Sequence, residues 1–330
     1  MAETYATLTA LFTDIADAIR EKTGDTTSIV ADDFPDVIRE RLEVIPPILY
    51  LTFSSPNSFT LKVNDTTKHW DGTLEYSTNT SSWSTWNGTT TLSSATSGSD
   101  NVLYLRGTKN TVITGNRIDY KWVLTGSDIS CIGNIENLLD YETVKSGLHP
   151  TMAASCYSYM FQGCTALTQS PALPATTLVD DCYSYMFNGC TSLTQAPVLP
   201  ATKLVDYCYS YMFGGCKSLT QAPALPATTL ADRCYYQMFH GCTSLTQVPA
   251  LPATTLNSYC YNNMFYGCTS LKLSSSKTGE YTQEYRIPTT GTGTTAPNAL
   301  FNMFKSTGGT FTGKPEINTT YYLSNTNTIV

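Results

Sequence analysis

From Cys156 onward the apolar and polar positions recur with a period of 26 residues. The chain reads CYSYMFQGCTALTQSPALPATTLVDD and restarts at Cys182, Cys208, Cys234 and Cys260, where a fifth unit, CYNNMFYGCTSLK, breaks off after Lys272. Each unit has a bulky run (Cys-Tyr-x-x-Met-Phe) ending at Gly, then a leucine and a Pro-flanked stretch such as LTQAPALP. The bulky run predicts one or two helical turns with Gly as the left-handed stop. The second stretch predicts a short extended segment, because the residue before each Pro is pushed out of the helical region. One unit cannot bury both apolar faces, so neighbours must stack, and the pattern predicts a solenoid held by nearest-neighbour contacts. ALFNMFKSTGGTF (299–311) reads as a decayed sixth unit that keeps Met303 and Phe304 and has Ser306 and Thr307 in place of Gly-Cys.

Upstream the periodicity changes. Leu8, Leu11, Phe12, Ile15 and Ile19 recur at helical spacing before Gly24, and a second helix capped by Asp32 or Asp33 would bury Phe34, Val37, Ile38 and Leu42. Two such helices need a partner for their apolar stripes: the next domain, a bundle of identical chains, or a larger assembly. Residues 48–135 are richer in Ser, Thr, Asn and Gly. Alternating runs at 48–53, 58–63, 73–78, 101–107 and 117–124 predict the short strands of a small β-sandwich. GNIENLLDY (133–141) reads as a turn capping the first repeat. The expected organisation is therefore a helical attachment segment at 1–45 and a sandwich at 46–132. The repeats with their amino-terminal cap follow at 133–273, and a degenerate repeat and cap occupy 274–330.

The motif MFxGCTSLTxxPxLPATxLxxxCY, over about residues 151–273, closely resembles the BspA-type leucine-rich repeats of gut-bacterial surface proteins and their phages. IADAIREKTG...VADDFPDVIRERL (15–42) resembles a leader of phage tail-fibre and tail-associated proteins. Together these resemblances imply a mixed α and β chain serving as a phage tail fibre or tail tip. Its implied partners are a host cell-surface protein or glycan and other virion proteins, and it would assemble as a homo-oligomer, a trimer by the same likeness. It would be built in the host cytoplasm and act outside the cell as part of the virion. A bacterial BspA-type surface adhesin and a head-fibre or virion decoration protein are the alternatives.

Composition narrows the chemistry. Net charge is −7 with 14% charged residues and no basic run, which argues against nucleic acid, whose phosphates need clustered Lys and Arg. No long apolar run predicts membrane insertion, and Glu3 and Asp14 disrupt the pattern of a signal peptide. Ten of the eleven cysteines, all but Cys131, fall into two columns, Cys156/182/208/234/260 and Cys164/190/216/242/268. Eight helical residues would separate the thiols of one unit by roughly 12 Å, whereas equivalent cysteines of stacked units would lie roughly 5 Å apart. The expected role is small buried filler, with disulfides between units and a metal site as alternatives. No catalytic or cofactor signature is visible among His69, His149, His240 or elsewhere, so neither an enzyme nor a cofactor is expected.

Core positions barely change between units; the third, fourth, seventh and last do, and are expected to face solvent. They nominate a ligand-contact surface of Tyr159, Gln162, Tyr185, Asn188, Tyr207, Tyr211, Arg233, Gln237, His240, Tyr259 and Tyr266, residue types suited to interfaces. The stripe Leu8, Leu11, Phe12, Ile15 and Ile19 is nominated for attachment and oligomerisation. Asp180, Asp181, Asp206 and Asp232 read as a solvated edge. Trp70, Trp83 and Trp86 are expected in core or hairpin packing, with stacking on sugars as the alternative.

Overall fold

The computed structural model describes residues 48–330, so the expectations for residues 1–45, including Leu8, Leu11, Phe12, Ile15 and Ile19, lie outside the described residues. Leu49–Val330 forms one compact unit. Its regular structure is mostly short strands, with a single α-helix, Asn137–Lys145, among the described residues.

Where the small sandwich is expected, the chain forms two open sheets. The strands are β1 (Leu51–Ser55), β2 (Thr60–Val63), β3 (Thr73–Ser77), β4 (Ser84–Trp86), β5 (Leu92–Ser93), β6 (Ala95–Ser97), β7 (Asp100–Thr108), β8 (Trp122–Thr125), β9 (Ile129–Ile132) and β10 (Leu167–Gln169). Seven of them pair in the order β10-β9-β1-β7-β3-β4, with β6 also on β7; the other three pair as β5-β2-β8. The alternation behind the strand predictions is real: Leu51, Phe53 and Ser55 of β1 are buried while Thr52 and Ser54 are not. Antiparallel register sets Phe53 opposite Leu103 and Val63 opposite Trp122. Trp70 and Trp86 are buried with ring centroids 5.1 Å apart, which places them in the core. Trp83 is only partly covered; Arg106 lies 4.1 Å from its ring and 4.4 Å from that of Tyr141.

β10 belongs to the first repeat and pairs in parallel with β9, Leu167 opposite Ile129. The extended segments of later repeats continue this pairing through bridges Gln169–Gln195, Gln195–Gln221 and Gln221–Gln247. Ahead of the first repeat, Ile135 N–H donates to Ala172 and Ala172 N–H to Gly133, so the 133–141 segment does lie against that repeat.

The bulky runs are not helical, contrary to expectation. Each is a chain of tight turns in which alternate peptide groups do different things. N–H groups at Ser158, Met160, Gln162 and Cys164 close turns onto the carbonyl three residues back. Those at Tyr157, Tyr159, Phe161 and Gly163 donate to Cys182, Ser184, Met186 and Asn188 of the next unit, at 2.8–3.0 Å. A helix would consume all these groups internally. It also cannot hold the positive φ found within each run, at Tyr159 (61°) and Gly163 (75°) in the first. Each run is thus a rung, and the rungs stack. Phe161, Phe187, Phe213, Phe239, Phe265 and Phe304 form one column of parallel rings 5.6–6.0 Å apart. Tyr157, Tyr183, Tyr209, Tyr235 and Tyr261 form a second. The decayed unit is a true sixth rung, since Tyr261, Asn263, Phe265 and Gly267 donate to Ala299, Phe301, Met303 and Lys305.

All eleven cysteines are free and buried. The second column does more than fill space. The thiols of Cys190, Cys216, Cys242 and Cys268 donate to the carbonyls of Phe161, Phe187, Phe213 and Phe239 in the preceding rung, at 3.0–3.1 Å. Burial pushes the thiols up, Cys164 to about 11 and Cys182, Cys234 and Cys242 to about 12.

Candidate functional site

Stacking at a fixed period turns one position of the unit into a column. The fourth position contributes Tyr159, Tyr185 and Tyr211, whose rings lie nearly parallel at 4.7 and 4.3 Å. Tyr236 closes the row edge-on to Tyr211, at 5.3 Å and 68°. The last position contributes Asp181, Tyr207 and Arg233. Arg233 Nη1 donates to the Tyr207 hydroxyl at 2.6 Å, and the guanidinium stands 4.5 Å from the ring centroid of Tyr259. Between the two columns runs a groove of about 340 Å3, lined by both and by Ser158, Ser184, Ser210 and Asn116.

Both columns sit at left-handed backbone positions: Tyr159, Tyr185, Tyr211 and Gln237 at φ 54–61°, and Asp181, Tyr207, Arg233 and Tyr259 at φ 52–59°. Residues other than glycine cost about 1–3 kcal/mol each in this region. The ladder holds them there, because the N–H of each is bonded to the next rung in all but Tyr259. The positive φ turns the side chain out of the rung, which sets a ring beside the groove instead of in the core.

The electrostatics are mixed. Burial raises the Asp181 carboxyl, and Asp180 and Asp206 add to the rise. Burial also raises the Tyr159 and Tyr211 hydroxyls, helped by Asp181 and Tyr236 respectively. The groove therefore offers aromatic faces, neutral hydroxyls, one carboxyl and one guanidinium, a set suited to a neutral polar ligand.

Of the nominated residues, the structure brings Tyr159, Tyr185, Tyr207, Tyr211 and Arg233 together in the groove. Tyr259 adjoins it through Arg233, and Gln237 continues the fourth-position column beyond it. Gln162, Asn188, His240 and Tyr266 form a separate row, in which Gln162 Nε2 approaches Asn188 Oδ1 at 3.5 Å and His240 stacks on Tyr266 at 5.0 Å. Two expectations of solvent exposure fail. Gly214, in that row, is buried, and a Cβ there would meet Asn188 Nδ2 at 2.6 Å. Ser158, Ser184 and Ser210, at the third position, are buried because the next rung covers them. Asp181 is half-buried in the groove wall, unlike the exposed Asp180 and Asp206. Tyr236 differed from its counterparts in the repeats, which was a usable signal; Asn116, far upstream, carried none.

Among the described residues no group of three or more His, Cys, Asp or Glu is placed to hold a metal ion, and no helix is long and apolar enough to cross a membrane. No curated protein and no solved structure matches the chain. Residues 143–272 match the family model of the BspA type leucine rich repeat region in six copies, so this part of the chain is similar to BspA-type leucine-rich repeats, a likeness that suggests a surface adhesion or binding protein.

Proposed function

We propose that the chain is a non-enzymatic adhesin that binds a host-surface protein or glycan reversibly through its repeats, acting as the tail fibre or tail tip of a phage. The observation that carries the binding reading is the groove: two of the columns that vary between units, the fourth and the last, are turned outward by the ladder and meet in one concavity. Parallel tyrosine faces beside hydroxyl, carboxyl and guanidinium groups suit an amphipathic ligand such as a sugar or an exposed peptide loop. In this reading the repeats act as a solenoid behind a small sandwich, and residues 1–45 assemble identical chains and attach them to other virion proteins. The phage assignment rests on the likeness of residues 15–42 to tail-protein leaders. A bacterial surface adhesin of BspA type is the second reading, favoured by the repeat match itself.

The test is binding of the full chain to a glycan array and a panel of gut-bacterial cells, with Tyr185→Ala and Arg233→Ala beside it. Each substitution should lower binding at least tenfold in protein that stays folded, with Tyr185→Ala costing about 1–3 kcal/mol of stability for its two ring pairs. Binding that survives both would remove the groove from the reading. Mass spectrometry of purified phage particles separates the two carriers, since a bacterial adhesin would be absent from them.

A further inference from the structure

The ladder between rungs has a direction. At every junction the N–H groups of the second, fourth, sixth and eighth residues of one rung donate to carbonyls of the first, third, fifth and seventh residues of the next. The peptide groups in these columns therefore align head to tail along the stack. In ordinary sheets strand dipoles alternate and nearly cancel; here they add, as in a helix, leaving partial positive charge where the N–H groups emerge.

At the amino-terminal end three of the four ladder carbonyls are met. Cys156 accepts from Ile113 and Thr114, Ser158 from the Thr114 hydroxyl, and Met160 from Trp122. At the other end the donors are open. In the sixth rung the corresponding N–H groups belong to Leu300, Asn302, Phe304 and Ser306, and none of them has an acceptor among the described residues. The same residues line a cavity of about 1060 Å3 whose far wall is the loop 311–317. Phe301 stands at the third position, where Ser158, Ser184, Ser210 and Asn262 are buried under the next rung, yet it is 55% exposed.

We propose that this end of the stack is a docking site for an extended segment of a partner protein, which enters as a seventh rung. It would supply main-chain carbonyls at alternate residues to the open donors and an apolar side chain to Phe301. The molecule itself demonstrates the main-chain part of that chemistry, because each equivalent set of donors below is met by a rung of this kind. The Phe304 ring is already covered by Phe311 and Tyr321, so the entering segment copies the hydrogen bonds and not the ring stack. An edge that adds a chain through main-chain hydrogen bonds, with a side-chain pocket for specificity, is an established mode of peptide capture. A small anion does not fit the pattern, since the donors are spread from Leu300 to Ser306. Head-to-tail stacking of a second copy does not fit either, since three of the four first-rung carbonyls it would need, those of Cys156, Ser158 and Met160, are already bonded. Lys305, Lys314 and Glu316 all line the cavity, so the charged surroundings are mixed and the dipole columns favour acceptors.

The experiment is amide hydrogen exchange on the full chain, alone and with a synthetic peptide of the rung sequence CYSYMFNGC under reducing conditions. In the free protein the Leu300, Asn302, Phe304 and Ser306 amides should exchange at least a hundredfold faster than Tyr235, Gln237, Phe239 and Gly241, their counterparts two rungs below. The peptide should bind saturably and slow those four amides at least tenfold, and Phe301→Ala should weaken binding at least tenfold without shifting the unfolding midpoint. Equal protection of both sets in the free protein would overturn the proposal. So would protection that grows with protein concentration, meaning a second copy, or protection by inorganic phosphate alone, meaning an anion site. Failure of the peptide to bind would overturn it while leaving the tyrosine groove untouched.

Discussion

Phe213 lies in the third rung, fully buried, with its ring nearly parallel to Phe187 and Phe239 at 5.7 Å on either side. Truncation to alanine removes buried apolar surface and leaves a void that neighbours held by the ladder cannot readily fill. Large aromatic-to-alanine changes of this kind cost about 3–5 kcal/mol. Part of that is ring stacking: each well-placed aromatic pair contributes about 0.5–1.5 kcal/mol beyond burial, so two pairs give roughly 1–3 kcal/mol. Phe213→Leu keeps most of the apolar volume and loses the pairs, so it should cost about that smaller amount. Val198 is 77% exposed, so Val198→Ala should stay within about 0.5 kcal/mol and serves as the control. The assay is urea unfolding followed by far-ultraviolet circular dichroism, with the slope compared among variants to confirm that the same surface is exposed. A loss below about 1 kcal/mol for Phe213→Ala would show that the column is not under load. A negligible loss for Phe213→Leu would show that ring stacking matters little beside apolar volume.

The cysteines make a second prediction: folded protein should react slowly with a thiol reagent, and denatured, unreduced protein should release close to the eleven thiols. Because burial raises the thiols, to about 11 for Cys164 and about 12 for Cys182, Cys234 and Cys242, the folded state favours the protonated form. Their contribution is complete below the unfolded value of about 8.5 and is lost as pH rises through 11–12, so the melting temperature should fall between pH 8 and 11; a flat profile would refute this. The buried Tyr183 hydroxyl has no hydrogen-bond partner, so Tyr183→Phe should raise stability by about 1 kcal/mol in the same urea assay, and a loss would reveal an acceptor. Deleting residues 1–45 should leave Leu49–Val330 folded and still able to bind cells but unable to assemble, as read by light scattering; an unfolded product would sink the attachment proposal.

The period of 26, the two cysteine columns and the apolar side chains of each rung were legible in the sequence, because a stack repeats its core at every turn and its residues must repeat with it. The strands around Phe53, Leu61 and Leu103 were legible for the same reason on a shorter scale, since one buried face forces alternation. The conformation of the rung was not. Tyr-x-x-Met-Phe-x-Gly has a helix-like spacing, and only the carbonyls of the next unit, 25 residues on, draw alternate N–H groups out of a helix. That pull also decides the positive φ at Tyr159, Tyr185 and Tyr211, which no local preference of tyrosine would suggest. Variation between units located the groove's columns but misjudged Ser158 and Gly214, because a neighbouring rung covers positions that look exposed in a single unit. The open donors of Leu300 to Ser306 belong wholly to the tertiary structure: they arise from a ladder that runs in one direction and ends.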